Sequence, residues 1–291
     1  QTVHHNIWDY DLPAQPNLIE VARAGKKIPA VAQVTKTGFT FVFNRETGEP
    51  LFPIEERKVP ASTVPGENAW PTQPIPVLPK PFARQSMMPD ELANVDPAHR
   101  AFCEELIKGA VFGDLYTPIG TKPTVLFPGT NGGTNWGGAS FDPETRTLYV
   151  NSADAGMISY LRPNREGAQV PYSRVGLRTN SARFWDRRLW PCQQPPWAHL
   201  TAIDMDTGEF RWRAVLGVVD ELMAKGLPPT GAPGMGGSMV TAGGLVFIGS
   251  SNDSRFRAFD KDTGNLLWET KLPASAHANP MSFVGKKSGK Q

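Results

Sequence analysis

The chain has 291 residues, with 28 glycines and 28 prolines. That density of turn formers excludes a helical bundle and argues for many short strands joined by turns. A hydrophobic share of 40% supplies a core and excludes wholesale disorder. A formal net charge of +2 predicts no strong attraction to nucleic acid or an anionic membrane. No run approaches the ~20 consecutive apolar residues of a membrane span.

In chain order, the first specific segment is His4-His5-Asn6-Ile7-Trp8-Asp9-Tyr10-Asp11-Leu12-Pro13-Ala14-Gln15-Pro16. It packs two His, two Asp, a Trp and a Tyr into a strand-to-loop stretch. Lys36 follows Asp9 by 27 positions, inside Thr35-Lys36-Thr37-Gly38. A buried carboxylate beside a lysine can take a proton from a hydroxyl while the cation steadies developing negative charge. By pattern alone the plainer reading is a turn with capping carboxylates and a surface lysine.

Three segments read as copies of one unit. Asp204-Met205-Asp206-Thr207-Gly208-Glu209-Phe210-Arg211-Trp212 matches Asp260-Lys261-Asp262-Thr263-Gly264-Asn265-Leu266-Leu267-Trp268 at an offset of 56. Asn44 to Phe52 is a weaker copy, with Phe52 in place of the Trp. An alternating strand runs into an Asp-x-x-Thr-Gly turn, where Gly supplies positive φ and Asp bonds the turn backbone. A second strand leaves, and its Trp is expected to pack between neighbouring sheets. Strand–turn–strand repeats of this size suggest propeller blades, each a four-stranded sheet.

Between the repeats, residues 58–90 are proline-rich and read as a long surface excursion. Asp96-Pro97 followed by Ala98 to Ala110 predicts a short helix capped by the Asp. Ala139 to Asp142 and Thr147 to Val150 form a further hairpin. Residues 161–198 hold several Arg and Pro and no clear period. Val218 to Lys225, closed by Gly226, predicts a second short helix, and Gly243 to Gly249 another strand. Long insertions on a propeller gather on one face around a binding site. The chain starts at Gln1 and ends soon after a Gly-Lys turn with no returning strand, so both ends read as cut from something longer. Cys103 and Cys192 lack metal-ligand spacing. Two buried thiols and one disulfide both remain open from the residues alone.

Taken together, these motifs resemble the quinoprotein dehydrogenases that use pyrroloquinoline quinone (PQQ), closest to the membrane-bound glucose dehydrogenase and quinate dehydrogenase branch. The resemblance is carried by His4 to Pro16, Lys36-Thr37-Gly38, Leu126-Phe127-Pro128-Gly129, Trp136-Gly137-Gly138, Pro191 to Trp197, Gly236-Gly237 with Thr241-Ala242-Gly243, and Asp262 to Trp268. It implies an all-β fold, about half the blades of an eight-bladed propeller, with long loops and two short helices. Residues 1–291 are then one partial catalytic domain, truncated at both ends.

The resemblance further implies PQQ on the propeller axis beside a divalent metal. Asp9 is expected as general base and Lys36 as the bond to the quinone oxygens, with hydride passing from the substrate carbon to PQQ and electrons on to a quinone. Asn135, Trp136, Asn151 and Asp253 match positions near the cofactor. Trp136 also suits blade packing, and Asn151 and Asp253 also suit turns. Asp9 and Asp11 are expected at the metal, calcium being favoured over magnesium or a lanthanide. The His4-His5 pair is expected to be structural rather than a zinc site.

In this branch Cys103 and Cys192 fall at cysteine positions, which favours a disulfide and an oxidising periplasm. The parent would be anchored, if at all, by segments outside this chain. The substrate would be an alcohol, polyol or sugar, with no nucleic-acid partner. The family places other metal ligands and PQQ-stacking residues in an N-terminal half outside the resemblance. Exposed blade faces predict self-association. A non-catalytic propeller used for binding or assembly is the alternative, since blade repeats alone suit it equally.

Overall fold

The computed structural model describes residues 1–177 and 182–290. Residues 178–181, within the aperiodic stretch 161–198, and Gln291 lie outside the described residues. Strands β1 (Asn17–Arg23), β2 (Lys26–Val34) and β3 (Thr40–Asn44) form the first sheet. Ile19 and Val21 are buried while Leu18 and Glu20 face out, so β1 has the period-2 pattern of a half-buried strand. A hairpin of β4 (Ile54–Lys58) and β5 (Thr72–Pro76) follows. Its first strand is mostly charged and exposed, while its second, which carries two prolines, is largely buried.

Helix α1 (Pro97–Leu106) starts as the sequence predicts, with the Asp96 side chain accepting from His99 N at 3.1 Å. It ends four residues earlier than Ala110, where the chain turns into β6 (Val111–Phe112). Next come β7 (Thr124–Leu126), β8 (Ala139–Asp142), β9 (Thr147–Ala153), β10 (Met157–Pro163) and β11 (Tyr172–Gly176). Then follow β12 (Ala198–Asp204), β13 (Phe210–Val215), the short α2 (Asp220–Ala224), and β14 (Ser238–Val240), β15 (Leu245–Ile248), β16 (Arg255–Asp260) and β17 (Leu266–Lys271).

Three sheets stand as blades: β1-β2-β3, β8-β9-β12-β13, and the meander β14-β15-β16-β17. Their first strands β1, β8 and β14 are neighbours in series. Apolar layers fill the gaps between them. Val21, Ala32, Leu148 and Ile203 join the first pair; Tyr149, Leu200, Val246 and Ile248 join the second. The sheets do not close into a ring, so the architecture is the partial all-β propeller that the repeats predict. The remaining sheet, β11-β10-β7-β6, is threaded between the strands of the second blade. The sequence reading passed over it because β10 and β11 lie at the start of an aperiodic, Arg- and Pro-rich stretch. Cys103 on α1 is disulfide-bonded to Cys192, closing the alternative of two free thiols. The bond ties α1 to the strand-like segment that leads into β12.

The repeats show how one blade holds the next. In the third blade Asp260 Oδ1 accepts from Asp262 N and Thr263 N, and Gly264 sits at φ +73. Trp212 of the second blade lies on that turn. A Cβ added at Gly264 would come within 2.6 Å of the indole, and Trp212 Nε1 donates to Lys261 O at 2.9 Å. Phe52 packs in the same way on Gly208, one blade earlier. Trp268 departs from the expectation: among the described residues no following turn covers it, and it is 50% exposed. Replacing Trp212 by Ala should therefore cost about 3 kcal/mol in urea unfolding, whereas Trp268→Ala should cost less than about 0.5 kcal/mol. Equal losses would contradict this packing account.

Candidate functional site

The segment before β1 is pinned by its aromatic residues. Trp8 is 1% exposed, and its Nε1 donates to Thr117 O at 2.9 Å. Tyr10 is equally buried and donates its hydroxyl to Pro128 O at 2.7 Å; burial pushes its phenol well above the ordinary range, so it remains a neutral donor. Asn6 Oδ1 accepts from both Trp8 N and Tyr10 N. Asp9 is thus held between two anchors, in a left-handed conformation (φ +74) that an aspartate seldom adopts. Its side chain remains half exposed.

Lys36 is presented by the tight turn between β2 and β3, closed by Thr35 N to Phe39 O and Gly38 N to Thr35 O, both 3.0 Å. The residue is only 7% exposed. Its ammonium donates to Asp9 O at 3.0 Å, lies 3.5 Å from Asp9 Oδ2, and forms a close ion pair with Asp11. Such a cation loses hydration on burial, and two carboxylates compensate it. The surface-lysine reading of the sequence is therefore set aside by the geometry.

The loop 128–138 walls this cluster. Gly133 N donates to Lys36 O at 2.7 Å. A Cβ at Gly132 would fall 2.5 Å from Lys36 Cα, so no side chain fits between the loop and the lysine. Asn135 Nδ2 donates to Asn131 O at 2.7 Å, and its Oδ1 accepts from Trp136 N. Trp136 is half exposed and donates its Nε1 to His277 O at 3.0 Å. Asn279 bridges Gly237 N and Gly137 O, stitching the chain after β17 across the entry to β14.

The structure thus brings Asp9, Asp11 and Lys36 into one cluster, with Asn135 and Trp136 on the loop against it. Asn151, 2% exposed on β9, donates to Ser250 Oγ at 3.0 Å, and its Oδ1 has no partner among the described residues. Asp253 bonds to Arg257, Ser251 Oγ and Val218 N, and lines a different cavity, of about 310 Å³, with Trp190 and Val219. Burial alone would raise the Asp253 carboxyl, but the Arg257 and Ser251 hydrogen bonds bring it below the usual range. His4 bonds Gln1 and Glu56 through its two ring nitrogens. His99, Cys103 and Cys192 lie together, but both sulfurs are committed to the disulfide. Sequence reasoning missed Asn6, Gly132 and the 277–279 segment. The two glycines following Asn131 were the only signal for the close approach, and the tail gave none.

A family profile described as "PQQ: Glucose/ethanol/alcohol dehydrogenase, beta-propeller domain" matches residues 1–291. The chain belongs to this family of PQQ-dependent dehydrogenase propellers. It is 34% identical over 312 residues to quinate/shikimate dehydrogenase (quinone) of Acinetobacter baylyi (strain ATCC 33305 / BD413 / ADP1), covering 100% of this chain and 39% of that protein. It is 32% identical over 318 residues to quinoprotein glucose dehydrogenase of Escherichia coli (strain K12), again covering 100% of this chain and 39% of the relative. The chain therefore spans about two-fifths of the length of these relatives. In structure it is similar to a europium-containing methanol dehydrogenase, with a TM-score of 0.57 and 22% identity over 97% of this chain and 39% of that one. That likeness concerns the fold alone.

The residues present fit an anionic quinone in their donor chemistry. A buried ammonium and the Nδ2 amide of Asn135 are the donors offered, while the unpartnered Oδ1 of Asn151 is an acceptor for an N–H or O–H of the ligand. Asp9 and Asp11 are oxygen ligands suited to a hard divalent cation, though they supply two side chains where calcium takes about six to eight oxygens.

Proposed function

We propose that the chain is the C-terminal portion of a PQQ-dependent dehydrogenase that oxidises a CH–OH group of an alcohol, polyol or sugar and passes the electrons to a quinone. One observation carries this reading: in a chain of this family, a buried lysine ammonium is set directly between two half-exposed carboxylates. A propeller kept only for binding has no need of a buried cation at that point. The relatives named for quinate, shikimate and glucose support a polyol or sugar substrate.

In this reading Lys36 holds the quinone oxygens and Asn135, Trp136 and Asn151 form the rest of the cofactor's surroundings, while Asp253 stays committed to Arg257, Ser251 and Val218 in its own cavity. When bound, PQQ supplies the acceptor for the substrate's hydride, beside a divalent metal that we take to be calcium, held in part by Asp9 and Asp11. Asp9 Oδ accepts the proton of the substrate hydroxyl. The fixed backbone at Asp9, clamped by Asn6, Trp8 and Tyr10, keeps that carboxylate in place without reorganisation. The Lys36 charge, already beside Asp9, steadies negative charge as it develops. The disulfide fits an oxidising compartment, and we assign the protein to the periplasm.

Self-association through the uncovered third blade belongs to the same proposal, because Leu266, Leu267 and Trp268 all face out. Light scattering at high concentration should give a mass above that of one chain; a monodisperse monomer contradicts this. The cofactor assignment is tested by titrating the chain with PQQ, with and without calcium, read by tryptophan quenching. Saturable, calcium-dependent quenching is expected, weakened about tenfold or more by Lys36→Ala. Equal quenching of wild type and variant would remove Lys36 from the site.

A further inference from the structure

Helix α1 carries His99 and Cys103 one turn apart, on the face that meets Cys192. His99 Nε2 lies 3.6 Å from Cys103 Sγ. One ligand atom from each of His99, Cys103 and Cys192 lies within 4.8 Å of the other two, and all three residues are buried. In the oxidised chain the sulfurs are bonded to each other. Their backbones do not depend on that bond. Ala93 N donates to Cys192 O and Gln194 N to Glu91 O, both at 2.8 Å, and Cys192 N donates to Phe184 O at 3.0 Å. Main-chain bonds therefore keep the two cysteines apposed when the bridge is cut.

The imidazole is oriented from behind. His99 Nδ1 lies 3.0 Å from Asp186 Oδ2, which also accepts from Arg188 Nε at 3.0 Å. Asp186 Oδ1 accepts from Arg188 N at 2.8 Å and Trp190 N at 3.1 Å. An acceptor serving this many donors is an ionised carboxylate, so Nδ1 points its proton at Asp186. Nε2 then faces Cys103 Sγ and, at 3.1 Å, Pro191 O. Two electron-pair donors so close call for a positive charge between them. A carboxylate behind the imidazole is the usual outer partner of a metal-bound histidine. Tetrahedral zinc, with bonds of about 2.3 Å to sulfur and about 2.0 Å to nitrogen, sets those two atoms about 3.5 Å apart. The observed 3.6 Å matches that spacing.

We infer that the chain, once its disulfide is reduced, binds one thiophilic divalent cation such as zinc through Cys103 Sγ, Cys192 Sγ and His99 Nε2. Pro191 O is within reach as an oxygen ligand. A dithiol reductant gives two electrons and two protons to the bridge and closes to its own disulfide. The two thiols release those protons to solvent as the cation binds. The ion then makes the tie between α1 and the entry to β12 that the disulfide makes in the oxidised chain. The way in is short: Trp190 and Pro191 line the cavity of about 310 Å³, and the Trp190 ring centre is 5.8 Å from that of His99. Calcium, a hard ion that takes oxygen ligands, does not compete for thiolates. The site shares no residue with the Lys36 cluster, and the inference goes beyond the dehydrogenase reading without resting on it.

The test is a cobalt titration of the full chain, reduced with dithiothreitol and freed of it under argon. Thiolate-to-cobalt charge-transfer absorption and the intense visible bands of tetrahedral cobalt should saturate at one ion per chain, and zinc should displace the cobalt. The oxidised chain keeps every other histidine and carboxylate and should show none of these bands. Cys192→Ser and His99→Ala should each alter the spectrum, and Asp186→Asn should weaken binding about tenfold or more with the spectrum unchanged. Should the variants fail to fold, alkylation of wild type decides: zinc should slow the reaction of both reduced cysteines with iodoacetamide about tenfold or more, and calcium should not. No bands in the reduced chain, equal bands in the oxidised chain, a spectrum indifferent to His99→Ala, or alkylation that zinc does not slow overturns the inference.

Discussion

A lysine ammonium that is 7% exposed must be compensated where it lies, and this requirement organises the site. The compensation comes from Asp9 and Asp11, 25 to 27 positions earlier in the chain. For those carboxylates to reach it, the segment before β1 has to be fixed against the body of the protein. Trp8, Tyr10 and Asn6 do this through three sets of hydrogen bonds and full burial of both rings. The lysine must also be closed over, which the glycines of the 128–138 loop allow by lying flush on its backbone. Loop, lysine and carboxylates belong to different blades or blade entries, so the cluster also ties the blades together at one end.

Away from that end, blade registry depends on aromatic side chains lying on the glycine turn of the next sheet. Phe52 on Gly208 and Trp212 on Gly264 repeat one contact. The same turn both reverses the chain and provides a flat seat, so one short motif sets local structure and inter-blade spacing together. This is why the motif recurs with so little variation along an otherwise irregular chain.

The legible parts of the sequence were those where local chemistry dictates one conformation. The Asp-x-x-Thr-Gly turns, the Asp96 cap and the β8–β9 hairpin are of this kind, and each was found near its predicted place. The His4–Pro16 run and Lys36 stood out by pattern, but the residues alone also suited a capped turn and a surface lysine, and only the family resemblance gave them a chemical role. What was not legible depends on long-range pairing. In the β1–β2 and β4–β5 hairpins prolines and charged residues interrupt the pattern on at least one strand, and their order comes from the packing around them. The β11-β10-β7-β6 sheet interleaves with another blade, and no local period records that. The placement of His277 and Asn279 across two blade entries likewise follows from where the last blade puts its outgoing chain. Trp268 shows the converse case: its motif is intact, but the seat it would occupy is not among the described residues.

The central claim is that Lys36 is a buried, carboxylate-held ammonium placed to meet an anionic ring. Nitrogen-15 NMR of the lysine side chains observes that ammonium directly, with Lys36→Arg giving the assignment. The account requires a Lys36 signal whose protons exchange with water far more slowly than those of surface lysines such as Lys27, and which moves when PQQ is added. A Lys36 signal that exchanges like a surface lysine and ignores PQQ would contradict it.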